Sequence, residues 1–201
     1  LKEKNWLKEG KVTPVKDQST CSDCYAFGAL SSLESALAIK HNKHIILSEK
    51  EVIDCTSKYG NNGCKGGQMD QTFRYIINKK IALNSDYPYK PVVETCTVDK
   101  SKERYTMHHY KHINPANMDG LLKALDQQPI SVCFDCRRDF HLYEKGVYKG
   151  EPGCGTKFNH CILAFGYGTD EETKEDFTYM KNSWNNDWGE AGMIRFLIKG
   201  G

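Results

Sequence analysis

The stretch Gln18-Ser-Thr-Cys-Ser-Asp-Cys-Tyr-Ala-Phe27 sets two cysteines, Cys21 and Cys24, two residues apart at the mouth of a helical pattern. From Cys24 to Lys40 the apolar residues Phe27, Leu30, Leu33 and Leu37 recur at helical spacing, which predicts an amphipathic helix with one buried face. A pair so placed has four readings: a metal clasp, a redox couple, two halves of structural disulfides, or a division of labour between the two sulfurs.

A zinc site would need the second such pair, Cys133-Phe-Asp-Cys136, but about 110 residues separate the pairs, far outside zinc-ribbon spacing. A thioredoxin-like couple would need a strand running into the motif, whereas Thr13 to Gln18 reads as a loop. Two structural disulfides account for Cys21 and leave Cys24 unused at a helix mouth, where free N–H groups and the positive dipole end stabilise a thiolate. A sulfur nucleophile needs such a place, together with a base and a group that orients the base.

The rest of the chain offers both. Ser48 followed by Glu51 is a capping box before a short helix containing Val52 and Ile53, and a third helix follows Gly67 with Met69, Phe73, Ile76 and Ile77 on one side. Ile81 to Pro115 reads as loops. A helix after Asn117 aligns Met118, Leu121, Leu122 and Leu125 and stops at Pro129. Strands are predicted at Ile130 to Phe134, Cys161 to Tyr167, Phe177 to Asn182 and Met193 to Ile198. A helical half followed by a β-rich half predicts an α+β protein with a cleft between layers. His160 heads one of those strands and Asn182 ends another, with Trp184 two residues on. An imidazole can take a thiol proton, an amide oxygen can fix the ring tautomer, and an indole can shield that bond.

Composition narrows the class further. The 201 residues are 39% hydrophobic, enough for one core in two lobes, and the net charge of +2 is spread over the chain. Nucleic acid is therefore not an expected partner, and no apolar run approaches the roughly 20 residues of a membrane helix. Leu1 is read as the start of a processed or trimmed fragment. Nine cysteines point to an oxidising or endomembrane compartment, and the odd total leaves one thiol unpaired in a monomer. His108, His109 and His112 read as surface residues, Trp6 and Trp188 as packing residues, and no metal or cofactor is expected.

Four separated blocks occur in order: Gln18 to Phe27, Leu47 to Cys55, Gly63-Cys-Lys-Gly-Gly67, and the segments around His160 and Asn182. In these the chain resembles the papain-like cysteine peptidases, especially the cathepsin L-like branch, whose histidine and asparagine follow the nucleophile by about 130 to 150 residues. The resemblance implies a two-lobed fold in a single domain over 1–201. Its helical lobe would run from about 10 to 110, and its antiparallel, barrel-like β lobe from about 111 to 201, with the active-site cleft between. It implies Cys24 as nucleophile, His160 as general base and then acid, Asn182 as orienting residue, and Gln18 as an oxyanion donor. It also implies the bridges Cys21–Cys64 and Cys55–Cys96. Cys154 matches a third family bridge whose partner lies past Gly201, so the C-terminal end is read as truncated. Cys133, Cys136 and Cys161 lack counterparts, and a Cys133–Cys161 bond is a hypothesis.

By the same resemblance the substrate would meet Ser22, Gly66, Gly67, Gln68, Met69, Cys133, Asn159, Cys161 and Trp184, with an apolar second pocket suited to Leu. The tract after Gly67 is too short for the loop that makes some relatives exopeptidases. The implied activity is peptide-bond hydrolysis through a thioester, on peptide and protein substrates. The implied partners are an inhibitory propeptide and protein inhibitors, and the implied setting is a monomer in a lysosome, a food-vacuole-like compartment or secretions. The family usually has Cys-Gly-Ser-Cys-Trp where this chain has Ser22, Asp23 and Tyr25. Ser22 is expected to tighten the first pocket. Asp23 is expected to cap the helix while its charge makes the thiol less acidic. Those changes also motivate the alternative, a non-catalytic member that binds peptides or protein partners.

Overall fold

The computed structural model describes residues 1–114, 117–150, 155 and 157–198. In chain order these form β1 (Lys4–Asn5), α1 (Cys24–His41), α2 (Glu49–Cys55), α3 (Met69–Lys79), β2 (Ile81–Ala82), β3 (Arg104–Tyr105), α4 (Met118–Leu125), β4 (Ile130–Phe134), α5 (Arg138–His141), β5 (Val147–Tyr148), β6 (His160–Thr169), β7 (Asp176–Lys181) and β8 (Met193–Leu197). The α+β class expected from the sequence holds, with α1 to α3 preceding most of a six-stranded sheet.

Strand β6 organises that sheet. One of its edges pairs with β7, and the other is shared by β4, from Ile130 opposite Ala164 to Phe134 opposite His160, and by β1, with Lys4 opposite Tyr167. The register shifts between Ala164 and Gly166, where Gly166 lies against the Lys4 carbonyl so closely that no side chain fits. Beyond β7 come β8 and then β5. The β5–β8 pair is parallel, which corrects the expectation of a wholly antiparallel β half.

Helix α1 departs from its sequence reading. Thirteen of its 18 residues are buried, so it has no solvent face of any width. Leu30, Leu33 and Leu37 join Ile45, Leu47, Val52, Ile76 and Ile81 in one apolar cluster, while the opposite side of the helix packs on β6. Small residues permit that second contact. A Cβ on Gly28 would stand 3.3 Å from Cys161, and the Ser131 hydroxyl donates to the Gly28 carbonyl at 2.8 Å. A separate cluster of Leu125, Phe140, Tyr143, Ile162, Ala164, Met180 and Ile194 fills the β half. Trp6 packs with Val12, Leu163 and Phe165, and its indole N–H donates to the Leu125 carbonyl at 2.6 Å.

Buried charge fixes the helical half. Ser48 caps α2 by accepting the Glu51 backbone N–H at 3.0 Å, but the reciprocal half of the predicted capping box is absent. The Glu51 carboxylate turns inward instead, accepting from Tyr75 Oη at 2.6 Å, from the Ala82 N–H at 2.8 Å and from the Arg104 guanidinium at 2.5 Å. Lys16 bridges Glu34 and Glu49, both at 2.6 Å, and Glu34 also accepts from Thr13 Oγ1 and the Leu47 N–H. The tract predicted as loops from Ile81 contains the pair β2–β3, with Cys96 bonded to Cys55, while Pro115 at its end lies outside the described residues.

Candidate active site

Cys24 is the first residue of α1, and two features hold it there. Three residues before it, Cys21 is bonded to Cys64, which ties the approach to the helix to the Gly63–Lys65 turn. Gly67 then passes so close to Asn61 Oδ1 and Tyr25 that a Cβ would fall 2.5 and 2.7 Å from them, so only glycine fits. Cys24 itself is a free, half-buried thiol. Burial first and the Asp23 charge second raise the thiol above its ordinary value, against a lowering effect of the Cys161 backbone.

His160 begins β6 opposite Phe134 and is almost wholly buried. Its Nε2 lies 2.8 Å from Asn182 Oδ1, an atom that also accepts the Ser183 backbone N–H at 2.9 Å. An amide oxygen can only accept, so His160 Nε2 carries the hydrogen and Nδ1 presents a lone pair. Burial pulls the imidazole down to about 4, against the opposing effect of the Asn182 bond. Trp184 covers the ring at 4.7 Å between centroids, and Phe134 and Phe140 meet it edge-on. Asn182 follows directly from β7, and its N–H donates to the Gly192 carbonyl at 3.0 Å.

Gln18 joins the two halves of the site. Its N–H donates to the Ser183 carbonyl at 2.9 Å, and its side-chain Oε1 accepts from Ser183 Oγ at 2.7 Å. Its Nε2 donates to the Cys21 carbonyl at 2.8 Å, leaving the second hydrogen of that nitrogen without a protein acceptor. Nearby, Lys181 Nζ reaches back to the Thr13 carbonyl at 2.9 Å, so the end of β7 is pinned to the segment before Gln18.

Gln18, Cys24 and His160 line one cleft of about 500 Å³. Of the residues expected to meet substrate, Ser22, Gly66, Gly67, Asn159, Cys161 and Trp184 line it too. Gln68, Met69 and Cys133 do not line it. Met69 lies against Gly28 beside Cys161, Cys133 is bonded to Cys161, and the Gln68 N–H is engaged by Asn61 Oδ1 at 2.8 Å. The sequence reading missed Tyr25, Lys65, Cys136, His141 and Phe158, which complete the lining. His141 stacks on Trp184 at 4.7 Å, and its Nε2 lies 3.8 Å from the free thiol of Cys136. Only the exposed, apolar Phe158, two residues before His160, carried a signal that could have found it.

A thiol, an imidazole with one oriented nitrogen and an amide donor in one cleft are the parts of an acyl-transfer site, and similarity to known proteins agrees. The family model for papain family cysteine proteases matches residues 2–200. This chain belongs to that family. A cathepsin L-like peptidase of Aedes aegypti is 41% identical over 195 residues, covering 95% of this chain and 57% of the relative. Ananain of Ananas comosus is 37% identical over 192 residues, covering 95% and 54%. The chain thus spans about half the length of the curated relatives it matches. Among solved papain-family structures, the bromelain protease of Ananas comosus in complex with the E64 inhibitor superposes with a TM-score of 0.91 at 36% identity, covering 100% of this chain and 91% of that one. Digestive procathepsin L 3 from the larval midgut of Tenebrio molitor gives 0.92 at 33%, covering 98% and 64%.

Against this family background, three cysteine bridges are present among the described residues. Cys21–Cys64 and Cys55–Cys96 follow the expected scheme, and Cys133–Cys161 is the hypothetical one. Cys154 lies outside the described residues. Tyr25 occupies a buried place and donates to the Gly63 carbonyl at 3.0 Å. Asp23 does not cap α1 with its side chain, which corrects the sequence expectation. The carboxylate is fully buried, with Oδ2 accepting from Tyr89 Oη at 2.9 Å and Oδ1 unpartnered. Burial pushes it up to about 7.

Asp23 and His160 therefore pull stability in opposite directions. Between pH 4 and 6.5 the unfolded chain protonates its histidine before the folded chain does, so the His160 contribution is lost as pH falls. Between pH 4 and 7 the unfolded chain ionises its aspartate first, so the Asp23 contribution is lost as pH rises. Asp23→Asn removes the second effect alone. Its stability relative to the parent, measured by urea unfolding, is expected to grow with pH by on the order of 3 kcal/mol from pH 4 to 7. A difference that stays flat over this range would exclude a buried, proton-retaining Asp23.

Proposed function

We propose that the chain is a cysteine endopeptidase that hydrolyses peptide bonds through a thioester acyl-enzyme. The observation that carries this reading is a free thiol at the first turn of α1 sharing a cleft with His160, whose far nitrogen is held by Asn182. His160 Nδ1 takes the Cys24 proton as the sulfur attacks the substrate carbonyl, and gives it to the departing amine. Water, deprotonated by the same nitrogen, then releases the acid. Burial opposes a lone thiolate and a lone imidazolium, but the proton transfer creates both charges together, so each offsets the other's desolvation.

The developing oxyanion would be met by the Cys24 backbone N–H and by the unused hydrogen of Gln18 Nε2. Gln18→Ala should lower kcat by about 10² to 10³ with little change in KM, because the bond it removes strengthens only as the carbonyl oxygen gains charge. An unchanged kcat would remove Gln18 from the reaction.

For specificity, Cys161 and the adjoining Met69 support an apolar second pocket suited to Leu, with Ser22 narrowing the first. Peptides and proteins are the substrates in this reading, and an inhibitory propeptide is a partner, by analogy with the proform of the beetle relative. Among the described residues no helix is long and apolar enough to cross a membrane, and three disulfides support a lysosomal, vacuolar or extracellular setting. Fluorogenic peptides with Leu or Arg at the second position test the activity and the pocket together. Preferred turnover of the Leu substrate, abolished in proportion as an epoxide titrates the active thiol, is expected, and no turnover of either peptide before titration would reject the enzyme.

A further inference from the structure

The Cys133–Cys161 bridge sits where the proposed hydrolysis has no use for it. Residues 133 and 161 face each other directly across β4 and β6, with their Cα atoms 4.1 Å apart. Cys161 lies against the helix face that carries the nucleophile. Its Cβ is 3.3 Å from the point that a Cβ on Gly28 would occupy, one turn along α1 from Cys24 on the same side. Both residues line the cleft, and Cys24 is part-exposed. A thiol able to ionise beside a disulfide is the reactant pair for exchange.

We infer that Cys24 and the Cys133–Cys161 bridge form a three-sulfur relay in which the nucleophile is reversibly stored. The inference rests on Cys24 being the nucleophile of the proposed hydrolase. In the storing step the Cys24 thiolate, its proton passed to His160 Nδ1, attacks Cys161 Sγ. A Cys24–Cys161 bond forms as the Cys161–Cys133 bond breaks, and Cys133 leaves as a thiolate that takes up a proton. One disulfide exists before and one after, so the step consumes no oxidant and no reductant. Attack by Cys133 on Cys161 reverses it. Cys136, the other free cysteine among the described residues that line the cleft, could join Cys24 either through an external oxidant, with Cys133–Cys161 intact, or through a second exchange that leaves Cys133 and Cys161 both as thiols.

The test uses the full chain with its bridges intact, held under argon without thiol at pH 5, 6, 7 and 8. Samples are acid-quenched at intervals, alkylated and mapped by mass spectrometry without reduction, while epoxide titration counts active thiols. The expected result is a peptide pair joined through Cys24 and Cys161, accompanied by alkylated Cys133. Its initial rate should vary little from pH 5 to 8, because the proton that leaves Cys24 is held by His160 and not lost to solvent, and titratable thiol should fall by the same fraction. Mild thiol should restore the count. Cys133→Ser, which leaves Cys161 without its bridge, should abolish the loss. Should that variant fail to fold, the mapping of the parent chain still decides.

The relay is overturned if Cys133–Cys161 remains the only linkage of either residue at every pH, or if Cys24 is found joined to Cys136 or Cys154 while the Cys133–Cys161 bridge stays intact. Peptide turnover without exchange would reject the relay and leave the hydrolase. Exchange without turnover in thiol-treated protein would reject the hydrolase and leave the sulfur chemistry.

Discussion

Cys24→Ala is expected to lower peptide turnover by on the order of 10⁴ to 10⁶-fold while leaving the fold intact. The first half of that expectation follows from chemistry, since Cys24 is a free sulfur at a helix start that shares the cleft with an imidazole whose far nitrogen is held by Asn182. The second follows from the site, because Cys24 takes part in no bridge and is only half-buried. His160→Ala should cost a similar factor, and the double variant should lose little more, because the two groups act as one unit in proton transfer and attack. Single-turnover kinetics with a fluorogenic peptide, alongside thermal unfolding, gives both readings. Turnover near the parent level in Cys24→Ala would place the chemistry elsewhere.

The second large effect is on stability. Glu51→Ala should destabilise the chain by about 3 to 5 kcal/mol in urea unfolding, the usual cost of stranding a buried charge. Glu51 is inaccessible to solvent and serves three elements at once, accepting from Tyr75 on α3, from Ala82 on β2 and from Arg104 on β3. Alanine would leave a guanidinium that is nearly buried without its counter-charge, and a backbone N–H without an acceptor. Glu51→Gln keeps an acceptor oxygen and should lose less. A loss under about 1 kcal/mol for the alanine variant, in the range of an exposed pair, would mean that water reaches Arg104.

Most of the candidate site's frame was legible in the sequence because it is carried by order along the chain. Cys24 at a helix mouth, His160 heading one strand and Asn182 directly after another are local facts, and strand β4 came out at its predicted bounds. What was hidden depends on partners distant in sequence. Asp23 reads locally as a helix cap, but the ring of Tyr89 and the surrounding burial turn it inward. Glu51 reads as half of a capping box, but an arginine 53 residues away claims its carboxylate. Periodicity gave α1 one apolar face because it counts large side chains; the opposite side is buried through Gly28, Ser31 and Ser32, which carry no hydrophobic signal. Cys136 and His141 enter the cleft only because α5 follows β4 in space, and two-residue strands such as β1 and β5 are too short for any alternation to register.

Strand β1 carries a consequence for biosynthesis. Lys4 and Asn5 find their partners at Tyr167 and Gly166, and the Trp6 N–H donates to the Phe165 carbonyl at 3.1 Å. During synthesis β1 must therefore wait, unpaired, until residues about 160 positions later have emerged. The helical half leaves the tunnel while β1 still lacks its mate, so chaperone capture during synthesis should concentrate on β1 and cease once residue 169 is free.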